Sequence, residues 1–106
     1  MIWHPKLYVT ASLQGKENKI IRRLKRNAGV WSCFLLTFPA NPGNVLDIIP
    51  TKELKLPGYP REDLVVIGLA KDAGEANDLA VQILQETYDA TGACDIRAYL
   101  GPAGVK

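Results

Sequence analysis

The chain predicts an α+β fold: a two-layer α/β sandwich of ferredoxin-like kind, a mixed five-stranded sheet with two helices on one face. Three observations carry this expectation. Two segments, 16–28 and 72–92, repeat apolar residues with helical period. Five short runs rich in strand formers are interspersed with them in the order β-α-β-β-β-α-β. At 106 residues, with 47% hydrophobic and 23% charged, the chain has the size of one domain and too much apolar content for disorder.

Leu7-Tyr8-Val9-Thr10-Ala11 alternates and forms the first strand. Residues 1–5 ahead of it are expected to be a loose terminus, lacking the basic start and apolar run of a secretory leader. In helix 16–28, Ile20, Ile21, Leu24 and Ala28 share one side, and Gly29 ends it. Strand 30–38 is apolar on both faces, with Trp31, Cys33, Leu35 and Thr37 against Ser32, Phe34, Leu36 and Phe38. Asn41-Pro42-Gly43-Asn44 turns the chain into a third strand, 45–49. Thr51 to Leu54 reads as one helical turn, and Pro57, Gly58 and Pro60 force an irregular link. Strand 64–70 is a continuous apolar run, the pattern of a central strand covered on both faces; Val65, Ile67 and Leu69 oppose Leu64, Val66, Gly68 and Ala70. Helix 72–92 opens on Asp72 with Glu75 three residues on, as in a capping box, and closes at Gly92. Its core side is Ala76, Leu79, Ala80, Ile83, Leu84 and Thr87. Alternation over 93–100 reads as the last strand, and 101–106 as a loose tail.

Charge separates by helix. Lys16, Lys19, Arg22, Arg23 and Arg26 lie opposite the apolar side of the first helix; with Lys25 and Glu17 the segment 16–26 carries +5 in a chain of +2, which leaves −3 elsewhere. The second helix lines its outer side with Glu75, Asp78, Glu86 and Asp89. The basic stripe is either a solvated amphipathic face or a binding surface for an anionic partner, an acidic protein or a nucleic acid. No RNA-binding aromatic motif, helix-turn-helix or zinc finger accompanies it.

Helices on one face leave the other face of two doubly apolar strands uncovered. The candidates to cover it are the N-terminal segment with Trp3, the 51–61 link and a second copy of the chain; a homodimer through Phe34, Leu36 and Phe38 is the expected cover, with the link as rival. The turn Gly68-Leu69-Ala70-Lys71-Asp72-Ala73-Gly74-Glu75 joins a strand to a helix start, so amides around Ala70, Lys71, Ala73 and Gly74 form a candidate site for an anion or small ligand. The sole histidine, His4, lies in the expected loose terminus, and no catalytic residue, metal site or cofactor is expected. Cys33 and Cys94 read as reduced thiols, and 30–38 is too short to span a bilayer, so a cytoplasmic chain with no membrane partner is expected.

Leu7-Tyr8-Val9, Ile20-Ile21-Arg22-Arg23-Leu24-Lys25, Leu46-Asp47-Ile48-Ile49, Val66-Ile67-Gly68-Leu69-Ala70 and Asp95-Ile96-Arg97-Ala98-Tyr99-Leu100 resemble a family of small uncharacterised bacterial proteins with no assigned activity. The resemblance covers most of the chain and implies a single compact domain; it carries no activity, cofactor or catalytic residue. The function expected is a non-enzymatic, self-associating module that binds another macromolecule through Lys19, Arg22, Arg23 and Arg26. The alternative is a small-ligand or anion-binding domain at 70–74, and an enzyme assembled at a dimer seam is a third.

Overall fold

The structure, a computed structural model, describes residues 1–25, 32–41, 43–56, 58–59 and 61–101, the side chains of Lys55 and Arg61 excepted. Strands β1 (Ile2–Val9), β2 (Phe34–Thr37), β3 (Asp47–Pro50) and β4 (Val65–Ala70) form one mixed sheet in the order β1-β4-β2-β3. β4 is central: it pairs parallel with β1 and antiparallel with β2, while β2 and β3 form a hairpin. Its apolar run thus has a physical reason, since both faces and both edges are covered.

The helices are α1 (Glu17–Lys25), α2 (Ala73–Thr91) and α3 (Ile96–Leu100). They do not share a face, which corrects the two-layer expectation. Ile20 and Leu24 of α1 pack with Cys33, Leu35, Val66 and Leu69, joined by Leu13 and Leu54 from two 3₁₀ turns (Ala11–Leu13, Thr51–Lys55). Ala76, Leu79, Ala80 and Ile83 of α2, with Ile96 of α3, pack on Leu36, Phe38, Ile67 and Ala70. The result is three layers. The doubly apolar strands demanded two covers, and α1 supplies the second from within the chain.

Four strands and three helices stand among the described residues where five and two were expected. Residues 96–100 form a short helix instead of the last strand. Asp95 caps it, its Oδ1 accepting from the Ala98 amide at 3.2 Å. Five residues satisfy either period: Ile96 and Leu100, four apart, both join the core beneath α2. The expected loose terminus is also corrected, because β1 begins at Ile2, whose amide donates to the Leu64 carbonyl at 2.7 Å.

The central strand departs from strict alternation. Ile67 and Ala70 lie on the α2 side, Val66 and Leu69 on the α1 side, so the phase slips between Ile67 and Leu69. The pairing with β2 slips at the same place: Leu36 faces Gly68, and Thr37 faces Val66. This bulge sets two consecutive residues, Ile67 and Gly68, toward α2. A Cβ on Gly68 would lie 3.1 Å from Leu79 Cδ2 and 3.3 Å from Leu36 Cβ, so glycine permits the close approach of α2.

α2 forms as the sequence predicts. The Asp72 carboxylate accepts from the Glu75 amide at 2.8 Å, and Gly92, in the left-handed region at φ 77°, donates its amide to the Tyr88 carbonyl. Thr87 is buried without penalty because its hydroxyl donates to the Ile83 carbonyl at 2.8 Å. The sheet edges are blunted: β1 carries Pro5 and a register irregularity between Trp3 and Tyr8, and β3 ends at Pro50.

Candidate functional site

The candidate surface is the solvent side of α1. Ile20 is fully buried and Leu24 nearly so; these two clamp the helix onto the sheet and fix which residues face outward. Lys16, at the entry to the helix, and Lys19, Arg22 and Lys25 are exposed, and Arg23 is half-buried. The spacing of three residues winds these cations around half the helix. Lys16, Lys19, Arg22 and Lys25 have no ion-pair partner among the described residues. Glu17, the acid of this segment, has its Oε1 buried away from solvent. Arg26, expected in the stripe, lies outside the described residues, as do Ala28 and Trp31.

The carboxylates of α2 are treated differently. Glu86 accepts from the Tyr8 hydroxyl at 2.8 Å and from Gln82 at 3.2 Å, and Asp89 accepts from Gln85 at 2.9 Å. Each donor is neutral, so the negative charge of that side is kept. Tyr8 responds in kind: burial, then the bond to Glu86 and its charge, hold the phenol well above its ordinary value.

The turn after β4 holds the residues expected to bind an anion. Ala70 is buried at the strand end, and Lys71, Ala73 and Gly74 are exposed. The chain's own acids fill the turn. Glu75 accepts from the Ser12 hydroxyl at 2.6 Å and from the Lys71 amide at 3.2 Å, while Asp72 takes the Glu75 amide. The Ser12 hydroxyl, the foremost cause, and the Lys71 amide among the lesser ones pull the Glu75 carboxyl below the usual carboxylate range. An anion here meets two carboxylates. Beside the turn, a crevice of about 380 Å³ is lined by Tyr8, Thr10, Gln14, Glu75, Asp78 and Gln82. It opens where the parallel strands β1 and β4 end and their helices leave to opposite faces, the usual ligand position in doubly covered sheets.

Phe34, Leu36 and Phe38, expected at a contact with a second copy, sit instead in the core beneath α2, Leu36 fully buried and Phe38 7% exposed. This corrects their assignment: the chain's own helix takes the place given to a second copy. His4 is also corrected, from a mobile terminus to a buried residue at 4% exposure. Its Nε2 lies 3.0 Å from the Gly101 carbonyl, an acceptor, so Nε2 carries the proton; Nδ1 then accepts from the Lys6 amide at 3.0 Å. With Arg97, whose Nη2 donates to the Pro39 carbonyl at 2.7 Å, it ties α3 to the sheet. Sequence reasoning missed the pairs Tyr8–Glu86 and Ser12–Glu75, which join residues 78 and 63 positions apart.

No family model, no curated protein and no solved structure matches the chain. No helix among the described residues is long and apolar enough to cross a membrane.

Proposed function

We propose that the chain is a protein-binding module that docks an acidic protein surface on the outer face of α1. The observation that carries this reading is the set of four exposed cations, Lys16, Lys19, Arg22 and Lys25, without ion-pair partners among the described residues. A helix anchored by Ile20 and Leu24 presents them in a fixed array, which speeds encounter with an acidic partner and sets its orientation. An acidic protein is favoured over a nucleic acid on two grounds. No aromatic residue lies in 16–25 to stack on a base. The chain's remaining charge of −3, concentrated on α2, repels a polyphosphate too long to stay on one helix.

The test is fluorescence anisotropy with a labelled glutamate-rich peptide. Lys19→Glu/Arg22→Glu is expected to weaken binding about tenfold at low salt, with circular dichroism unchanged because both side chains are exposed. Equal affinity for the parent and the reversed variant overturns the reading.

A second reading rests on the crevice between the ends of β1 and β4. Glu75 and Asp78 in its wall favour a small cationic ligand over an anion. A rise in melting temperature with small polyamines but not with phosphate supports it; no rise with either removes it.

A further inference from the structure

The two charged helix faces lie on opposite sides of one sheet. α1 packs against Val66 and Leu69, α2 against Ile67 and Ala70 of the same strand. Within one molecule they cannot meet. Between molecules they are complementary. The basic row from Lys16 to Lys25 spans about 14 Å along its helix, and the acidic row from Glu75 to Asp89 about 21 Å, so the first fits within the second. The acidic row also has apolar company. Val81 is 66% and Tyr88 55% exposed on the solvent side of the same helix, so both are free to be covered by a partner.

We propose that the acidic partner of α1 is α2 of a second copy of this chain, docked head to tail. The proposal rests on the reading that α1 is a docking face and adds the identity of what docks there. The row from Lys16 to Lys25 of one copy, with Lys19 and Arg22 at its centre, lies along the stretch from Asp78 to Asp89 of the next, which spans about 17 Å, and Val81 and Tyr88 pack against the aliphatic stems of the lysines and arginines. Because donor and acceptor faces point away from each other, the contact is heterologous. It leaves one free face of each kind at the ends, so the assembly grows as a row or closes as a ring rather than stopping at a two-fold dimer. One helix laid on another is a small interface, so association is weak, depends on concentration and is lost as salt screens the charges.

Sedimentation velocity on the full chain tests this. At about 20 mM salt the mean mass rises above the 11.6 kDa of one chain with increasing concentration, and at about 500 mM salt it returns there. Lys19→Glu/Arg22→Glu and Asp78→Lys/Asp89→Lys each weaken association about tenfold. An equimolar mixture of the two variants restores it, since each then supplies the face that the other has reversed. A parent that stays monomeric at every salt, association untouched by the α2 reversal, or a mixture that stays monomeric overturns self-docking. The docking role of α1 is judged separately: if the α1 reversal still weakens capture of the glutamate-rich peptide, that reading stands and only the second copy is refuted.

Discussion

Gly68→Ala probes the contact that holds α2 to the sheet. The added Cβ meets Leu79 Cδ2 at 3.1 Å and Leu36 Cβ at 3.3 Å, both tighter than ordinary van der Waals contact. Leu79 Cδ2 is the end of a side chain and can yield; Leu36 Cβ is fixed by the backbone of β2. Overpacking of this kind costs about 1–3 kcal/mol. Alanine in place of glycine returns about 0.4–1 kcal/mol through the unfolded chain. The net is a loss of about 1 kcal/mol, or a fall in Tm of about 4 °C for a chain of this length. Urea denaturation followed by circular dichroism reads it as a lower midpoint at constant slope. In a Leu79→Ala background the nearer clash is gone and only the Leu36 Cβ contact remains, so the same substitution costs less than in the parent, by about 0.5 kcal/mol or more. A stabilising Gly68→Ala in the parent, or a cost unchanged by Leu79→Ala, refutes the close approach and with it the bulge that turns Ile67 and Gly68 to one side.

The thiols are expected to separate kinetically: Cys94 is exposed and reacts with a thiol reagent in the native state, whereas Cys33 is buried, its thiol pushed up by burial, and reacts only on unfolding. Two thiols of equal rate in native protein contradict the placement of α1 over Cys33. The raised Tyr8 phenol gives an alkaline signature. Its stabilising contribution is complete below the ordinary phenol value of 10.0 and is lost as pH rises above it, because the unfolded chain releases that proton first. Tyr8→Phe flattens the fall in stability above pH 10, and an unaltered profile counts against the Tyr8–Glu86 bond. Thr37, fully buried, has a hydroxyl with no hydrogen-bond partner among the described residues, so Thr37→Val is expected to raise stability by about 1 kcal/mol in thermal or urea melts.

What could be read from the sequence was what depends on neighbours along the chain. α2 carries its own cap in Asp72, its own stop in Gly92 and a core stripe of Ala76, Leu79, Ala80 and Ile83, so its limits and buried side were legible. The two faces of β2 were legible for the same reason: Cys33 and Leu35 go to one layer, Phe34, Leu36 and Phe38 to the other. What failed depends on pairings across the chain. The apolar excess of β2 and β4 showed that a second cover was needed, but a helix wheel does not say on which side of a sheet a helix lies. The bulge in β4 is a property of its pairing with β2, invisible in Val65 to Ala70 alone. His4 and residues 96–100 depend on each other, one bonding the carbonyl just beyond the other, so neither was readable without the fold.

The candidate site divides in the same way. The charges of α1 and α2 were plain in the sequence, and the burial of Ile20 and Leu24 confirms which side of α1 faces outward. The acidic filling of the turn after β4 was not, because Glu75 served there only as a capping residue, while its bonds to Ser12 and to the Lys71 amide come from the meeting of two strand ends.

The most direct test of α1 as a docking face is a ¹H–¹⁵N correlation spectrum of the labelled chain titrated with an unlabelled glutamate-rich peptide. The largest shifts are expected on residues 16–25, and they vanish at high salt. Shifts centred on the crevice between β1 and β4, or no shifts at saturating peptide, contradict the docking role of α1.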